Sequence, residues 1–112
     1  MANDLDSLAD RALGRTALPA GELRSALLVL GPRWSVTAED LKLVLPVKPM
    51  ARAAEVAAQA AAIADELDHH PTFVMEYPGV TLTIHSHDVK AITATDVVYA
   101  ARLERWLRAK AV

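Results

Sequence analysis

Apolar residues recur along this chain in two periods, and each change of period marks an element. Leu23, Leu27 and Leu30 stand at i, i+4 and i+7, the stripe of an amphipathic helix over residues 19–30. Pro19 suits its first turn, and Gly31 followed by Pro32 ends it. The period then falls to two. Residues 34–36 and 41–45 predict a hairpin, with Leu41, Leu43 and Leu45 on its buried face and 37–40 as the connection. A helix returns over 49–68, built mostly of alanine, the best helix former, with Val56, Ile63 and Leu67 as its larger contacts. Residues 72–77 and 80–87 predict a second hairpin joined at Pro78-Gly79. Val80, Leu82 and Ile84 point one way; Thr81, Thr83, His85 and His87 point the other. Thr93-Ala94-Thr95-Asp96 has the S/T-x-x-D/E pattern of a helix start, and Tyr99, Leu103 and Trp106 share a face beyond it.

The order is helix, two strands, helix, two strands, helix. Two hairpins with helices on one face predict an α+β two-layer sandwich around a four-stranded antiparallel sheet. The other face of that sheet is left for a partner subunit or a ligand. Leu5, Leu8 and Ala12 have helical spacing, but Gly14 interrupts it, so residues 1–18 read as a poorly defined lead and 19–112 as the domain.

Composition narrows the functional classes. A chain of 112 residues fits one domain, and 53% hydrophobic residues mark a folding sequence. A net charge of −2 with scattered Lys and Arg argues against nucleic acid as a ligand, because phosphate binding needs a concentrated basic surface. The chain has no cysteine, which excludes disulfides and thiolate chemistry. Asp4, Asp6 and Asp10 are unlike a signal peptide, and no apolar run reaches membrane-spanning length. The expectation is a cytoplasmic protein with no membrane partner.

The candidate chemistry lies at the end of the alanine-rich helix, in Asp65-Glu66-Leu67-Asp68-His69-His70-Pro71. Asp65 stands four residues before His69, so on a continuing helix the two share a face and Asp65 can orient the imidazole. Pro71 stops the helix. By itself this is an ordinary helix terminus, with histidines complementing the dipole. The downstream spacing changes that: Tyr77 follows Pro71 by six residues, His87 follows Tyr77 by ten, and Asp96 follows His87 by nine.

An acidic residue, three residues, His-His-Pro, an aromatic, a histidine and an aspartate at these offsets resemble the pterin-4a-carbinolamine dehydratase family. The resemblance spans roughly residues 19–107 and is strongest over 65–96. There are departures. Leu45, Val47 and Met50 stand where family members often have aromatics, Phe73 replaces a frequent tryptophan, Ala91 a glycine, and Ser86-His87 the usual Thr-His. The resemblance implies a hydro-lyase that converts 4a-hydroxytetrahydropterin to quinonoid dihydropterin in tetrahydrobiopterin recycling. It implies no cofactor and no metal. His69 and His87 would be the acid–base pair, with His70 beside them, since histidine exchanges protons near neutral pH. Asp65, Asp68 and Asp96 would orient imidazoles, and Pro71, Phe73 and Ser86 would support the site or touch the pterin. A homodimer or homotetramer is implied, and a pterin-dependent hydroxylase as its pathway partner.

Two other readings stand beside this one. The family includes binding partners of transcription factors, so the fold can serve as an interaction module. His85-x-His87 with His69 and His70 also suggests zinc, although adjacent helical residues point about 100° apart. His85 and His87 have equal claims by strand periodicity. Only the family's offset assigns the site to His87.

Overall fold

The computed structural model describes residues 4–112, so the first three residues of the lead lie outside the described chain. The elements are α1 (Asp4–Ala9), α2 (Ala20–Leu30), β1 (Trp34–Thr37), β2 (Asp40–Pro46), α3 (Met50–Leu67), β3 (Thr72–Glu76), β4 (Gly79–Ile84) and α4 (Ala94–Ala109). From α2 onward the order is the one periodicity predicts, and the fold is α+β.

The strands form one antiparallel sheet in the order β1-β2-β4-β3. The two hairpins join through β2 and β4, where Leu41 lies opposite Ile84, Leu43 opposite Leu82 and Leu45 opposite Val80. Residues directly opposite share a face, so these six side chains point the same way, and all are buried. Val56, Ala60 and Ile63 of α3 and Val97, Leu103 and Leu107 of α4 complete that core. On the other face Thr81 pairs with Val44 on one side and Val74 on the other. The two valines are about half exposed, at 50% and 46%.

Small side chains on α3 let α4 approach. The Tyr99 hydroxyl donates to the Ala60 carbonyl at 2.7 Å, inside the core. Burial pushes the Tyr99 phenol far above its usual range, so it stays a neutral donor. Gly79 opens β4 because β2 passes close by: a Cβ there would lie 2.6 Å from the Leu45 carbonyl oxygen.

One carboxylate ties the far end of α4 to β1. Glu104 is 2% exposed. It accepts from Arg33 Nε and Nη2 at 2.8 and 3.0 Å, from Trp34 Nε1 at 2.9 Å and from Arg108 Nε at 2.7 Å. Burial by itself would raise the Glu104 carboxyl. The hydrogen bonds from Arg33, Trp34 and Arg108 outweigh it and hold the carboxyl below the ordinary range.

Two findings change the sequence reading. The lead is built onto α4: Leu5 and Ala9 of α1 are buried in the common core, and Arg102 Nε donates to the Ala9 carbonyl at 3.1 Å. The last strand also stops three residues early, at Ile84 rather than His87. Its ladder runs out there, because β2 pairs only as far as Leu41 opposite Ile84 and β3 begins at Thr72 opposite Thr83. His85, Ser86 and His87 therefore lie in a loop, which a bridge between Ser86 and Ala91 closes.

Candidate active site

Helix α3 ends in a way that separates the two adjacent histidines. Asp68 takes the left-handed conformation, with φ 50° and ψ 47°. The His69 N–H then bonds back to the Ala64 carbonyl at 2.9 Å, a helix stop that satisfies the last carbonyls. The reversal turns His69 inward, to 5% exposure, and leaves His70 outside. The expectation that Asp65 orients His69 fails for this reason, since i,i+4 neighbours meet only while the helix continues. Asp65 Oδ1 instead lies 3.2 Å from His70 Nε2, in solvent.

His69 finds its carboxylate on α4. Its Nε2 lies 2.5 Å from Asp96 Oδ1. Asp96 is fully buried, and its other oxygen accepts from Ser86 Oγ at 2.9 Å, the Thr93 backbone N–H at 2.8 Å and Thr93 Oγ1 at 3.3 Å. Thus Asp96 is both the helix-start residue that the pattern predicts and the partner of an imidazole. An ionised carboxylate only accepts, so facing one Nε2 is the donor and Nδ1 is left as the acceptor. Ser86 is buried and reaches the site through Asp96.

Beside His69 opens a cleft of about 420 Å³, lined by Arg15, Asp68, His69, His70, His87 and Asp88. Its size is within the ordinary range for small-molecule sites. His87 is in this cleft. His85 is not: its Nδ1 bonds to Asp40 Oδ1 at 2.7 Å, and its ring packs edge-on against His87 at 4.2 Å between centroids. The structure thus separates two histidines to which strand periodicity gave equal claims.

Pro71 and Phe73 border a second, smaller hollow of about 220 Å³ against the α3 alanines, with Asp65 and His70 at its edge. Tyr77 stands 62% exposed at the β3–β4 turn and lines neither space. Among the described residues, no group of three His, Asp or Glu side chains is placed to hold a metal ion. With His85 held by Asp40, the four-histidine arrangement considered for zinc is not assembled.

Sequence reasoning missed two lining residues. Asp88 is simply the neighbour of His87. Arg15 comes from the lead, 54 residues from His69 in sequence, and no periodicity points to it. Yet its Nη1 lies 3.3 Å from His69 Nδ1 and 3.8 Å from Asp88 Oδ1.

Among the described residues no helix is long and apolar enough to cross a membrane. Residues 16–106 match the family model described as pterin 4 alpha carbinolamine dehydratase. A protein of Nitrosococcus oceani, provisionally named a pterin-4-alpha-carbinolamine dehydratase, is 32% identical over 81 residues, covering 69% of this chain and 72% of that protein. One of Mesorhizobium japonicum with the same provisional name is 27% identical over 94 residues, covering 82% and 95%. A crystal structure from Brucella melitensis, described as a transcriptional coactivator/pterin dehydratase, superposes with a TM-score of 0.75 at 28% identity, covering 80% of this chain and 97% of that one.

Proposed function

Because this chain belongs to the pterin-4a-carbinolamine dehydratase family, we propose that it dehydrates 4a-hydroxytetrahydropterin to quinonoid dihydropterin by histidine acid–base catalysis, as a cytoplasmic homo-oligomer serving tetrahydrobiopterin recycling. The observation that carries this reading is the buried Asp96–His69 pair, opening on a cleft that also holds His70 and His87.

In this mechanism His69 Nδ1 takes the proton from the pterin ring nitrogen. Asp96 fixes the opposite nitrogen and stabilises the imidazolium that forms. The electron pair released at the ring nitrogen forms the C=N bond to C4a as the C4a–O bond breaks. An imidazolium at His87 or His70 protonates the departing hydroxyl, which leaves as water. One proton enters His69 and one leaves its partner, so solvent exchange resets the pair. Asp65 orients His70, and Ser86 holds Asp96. Asp68, Pro71 and Phe73 shape the walls.

Purified protein should therefore speed the spectroscopic decay of the carbinolamine equally with and without a chelator. Decay no faster than in buffer would remove the enzyme reading, and a chelator-sensitive rate would favour a metal. His87→Ala should lower kcat about a hundredfold or more, since a positioned acid–base group contributes about 10²–10⁴. His85→Ala should stay within about tenfold, because it removes a ring packed against His87 rather than a proton donor. A folded His85→Ala more damaged than His87→Ala would reverse these roles.

Self-association is proposed from the sheet. Strand β3 is an edge strand; it exposes Val74 on the same face as Val44, with Thr81 of β4 between them, and Met75 on the opposite face. Light scattering at micromolar concentration should give a dimer or tetramer; a monomer throughout that range would refute it. The same edge, and the coactivator description of the Brucella protein, support an interaction module as the second reading.

A further inference from the structure

The matched family span begins at residue 16, and the residue just before it reaches into the cleft. Arg15 is held there by both of its flanks. On one side Gly14 N–H donates to Thr95 Oγ1 at 3.2 Å, and Thr95 Oγ1 donates back to the Gly14 carbonyl at 2.9 Å. On the other, Ala17 bridges Thr93, and Leu18 N–H donates to the Ile92 carbonyl at 3.0 Å. Upstream, α1 is anchored by buried Leu5 and Ala9, and Arg11 pairs with Glu22 of α2 at 2.8 Å. The arm from residue 10 to 18 is thus laced to the start of α4, the helix start that carries Asp96.

Arginine can only donate hydrogen bonds. With Nε2–H committed to Asp96, the Nδ1 that faces Arg15 must be the acceptor. Both ring nitrogens are therefore assigned, and the arrangement is that of the Nε2–H tautomer. A proton on Nδ1 would set donor against donor. Asp88 lies beyond the guanidinium and offers it another partner.

We propose that Arg15 is a positioning residue of this site: the N-terminal arm delivers its guanidinium to His69 Nδ1, where its N–H fixes the ring in the Nε2–H tautomer and keeps the Nδ1 lone pair at the cleft until a substrate N–H replaces it. This rests on the dehydratase reading only for the identity of that N–H donor. The groups facing His69 are Asp96 from α4, Arg15 from the arm, Asp68 and His70 from the end of α3, and His87 and Asp88 from the loop after β4. Of these, Arg15 is the donor against Nδ1, so removing it leaves that nitrogen without its partner.

The test compares wild type with Arg15→Ala, Arg15→Gln and Arg15→Lys in two readouts. Side-chain ¹⁵N spectra of the folded, substrate-free protein report the His69 tautomer and the hydrogen bond at Nδ1 directly. In Arg15→Ala the Nδ1 resonance should move, because that acceptor loses its donor. Arg15→Gln and Arg15→Lys, which each keep a donor, should lie closer to wild type. In the dehydration assay kcat should fall about three- to tenfold in Arg15→Ala, the scale of one lost hydrogen bond. Arg15→Gln and Arg15→Lys should recover part of that loss. Arg15 is about half exposed, so these variants are expected to fold. A His69 Nδ1 resonance identical in wild type and Arg15→Ala would overturn the proposal. His69 spectra that respond to Arg15 in a protein without dehydratase activity would sustain it and overturn the function instead.

Discussion

Asp96→Asn is expected to lower kcat by about 10²–10⁴ while leaving the fold intact, the scale on which positioned acid–base groups act. The substitution is nearly isosteric, but it inverts one hydrogen bond. The Thr93 backbone N–H, 2.8 Å from Oδ2, can only donate. It therefore selects the amide oxygen for that position, which puts the amide NH₂ at the Oδ1 position against His69 Nε2. Nε2 must then become the acceptor, and the imidazole proton moves to Nδ1. That nitrogen now points a proton at Arg15 and has no lone pair for a substrate. A base held in the wrong tautomer is catalytically lost even with every atom in place. Circular dichroism should show an unchanged fold, side-chain ¹⁵N spectra should show the proton moved to Nδ1, and the dehydration assay should show the drop in kcat. If folded Asp96→Asn retained more than about a tenth of wild-type kcat, His69 would not be the base.

The second large effect is on stability. Glu104→Ala should cost about 3–5 kcal/mol, because breaking a buried ion pair from one side leaves its partners uncompensated. Here those partners are Arg33 and the buried indole N–H of Trp34, with Arg108 at the rim. Urea unfolding at pH 7 measures it through the midpoint; a cost under about 1 kcal/mol would mean the network is no stronger than a surface pair. The site has a pH signature as well. The folded Glu104 carboxyl is held below its ordinary range, so it binds its proton less readily folded than unfolded. Its stabilisation is fully present above the unfolded value of about 4.3 and is lost as pH falls through the folded one. Wild type should therefore lose stability on acidification more steeply than Glu104→Gln does.

The order of elements from α2 onward and the family are legible in the sequence alone. Alternating Leu41, Leu43 and Leu45, the alanine run of α3 and the Thr93–Asp96 start are local signals, and local signals survive folding because they follow from backbone geometry. The offsets from Asp65 to Asp96 pointed to the family, and the matched span bears that out. Only the tertiary structure decided who touches whom. The left-handed turn at Asp68 broke the expected Asp65–His69 pairing and gave His69 to Asp96 across 27 residues. The end of the ladder at Ile84 released His85 and His87 from a common strand face, and Asp40 then held the first while the second stayed in the cleft. Arg15 carried no sequence signal at all. Its place depends on bonds between Gly14 and Thr95, 81 residues apart. Periodicity reports which side of an element is buried; it carries no information about what two separate elements bring together.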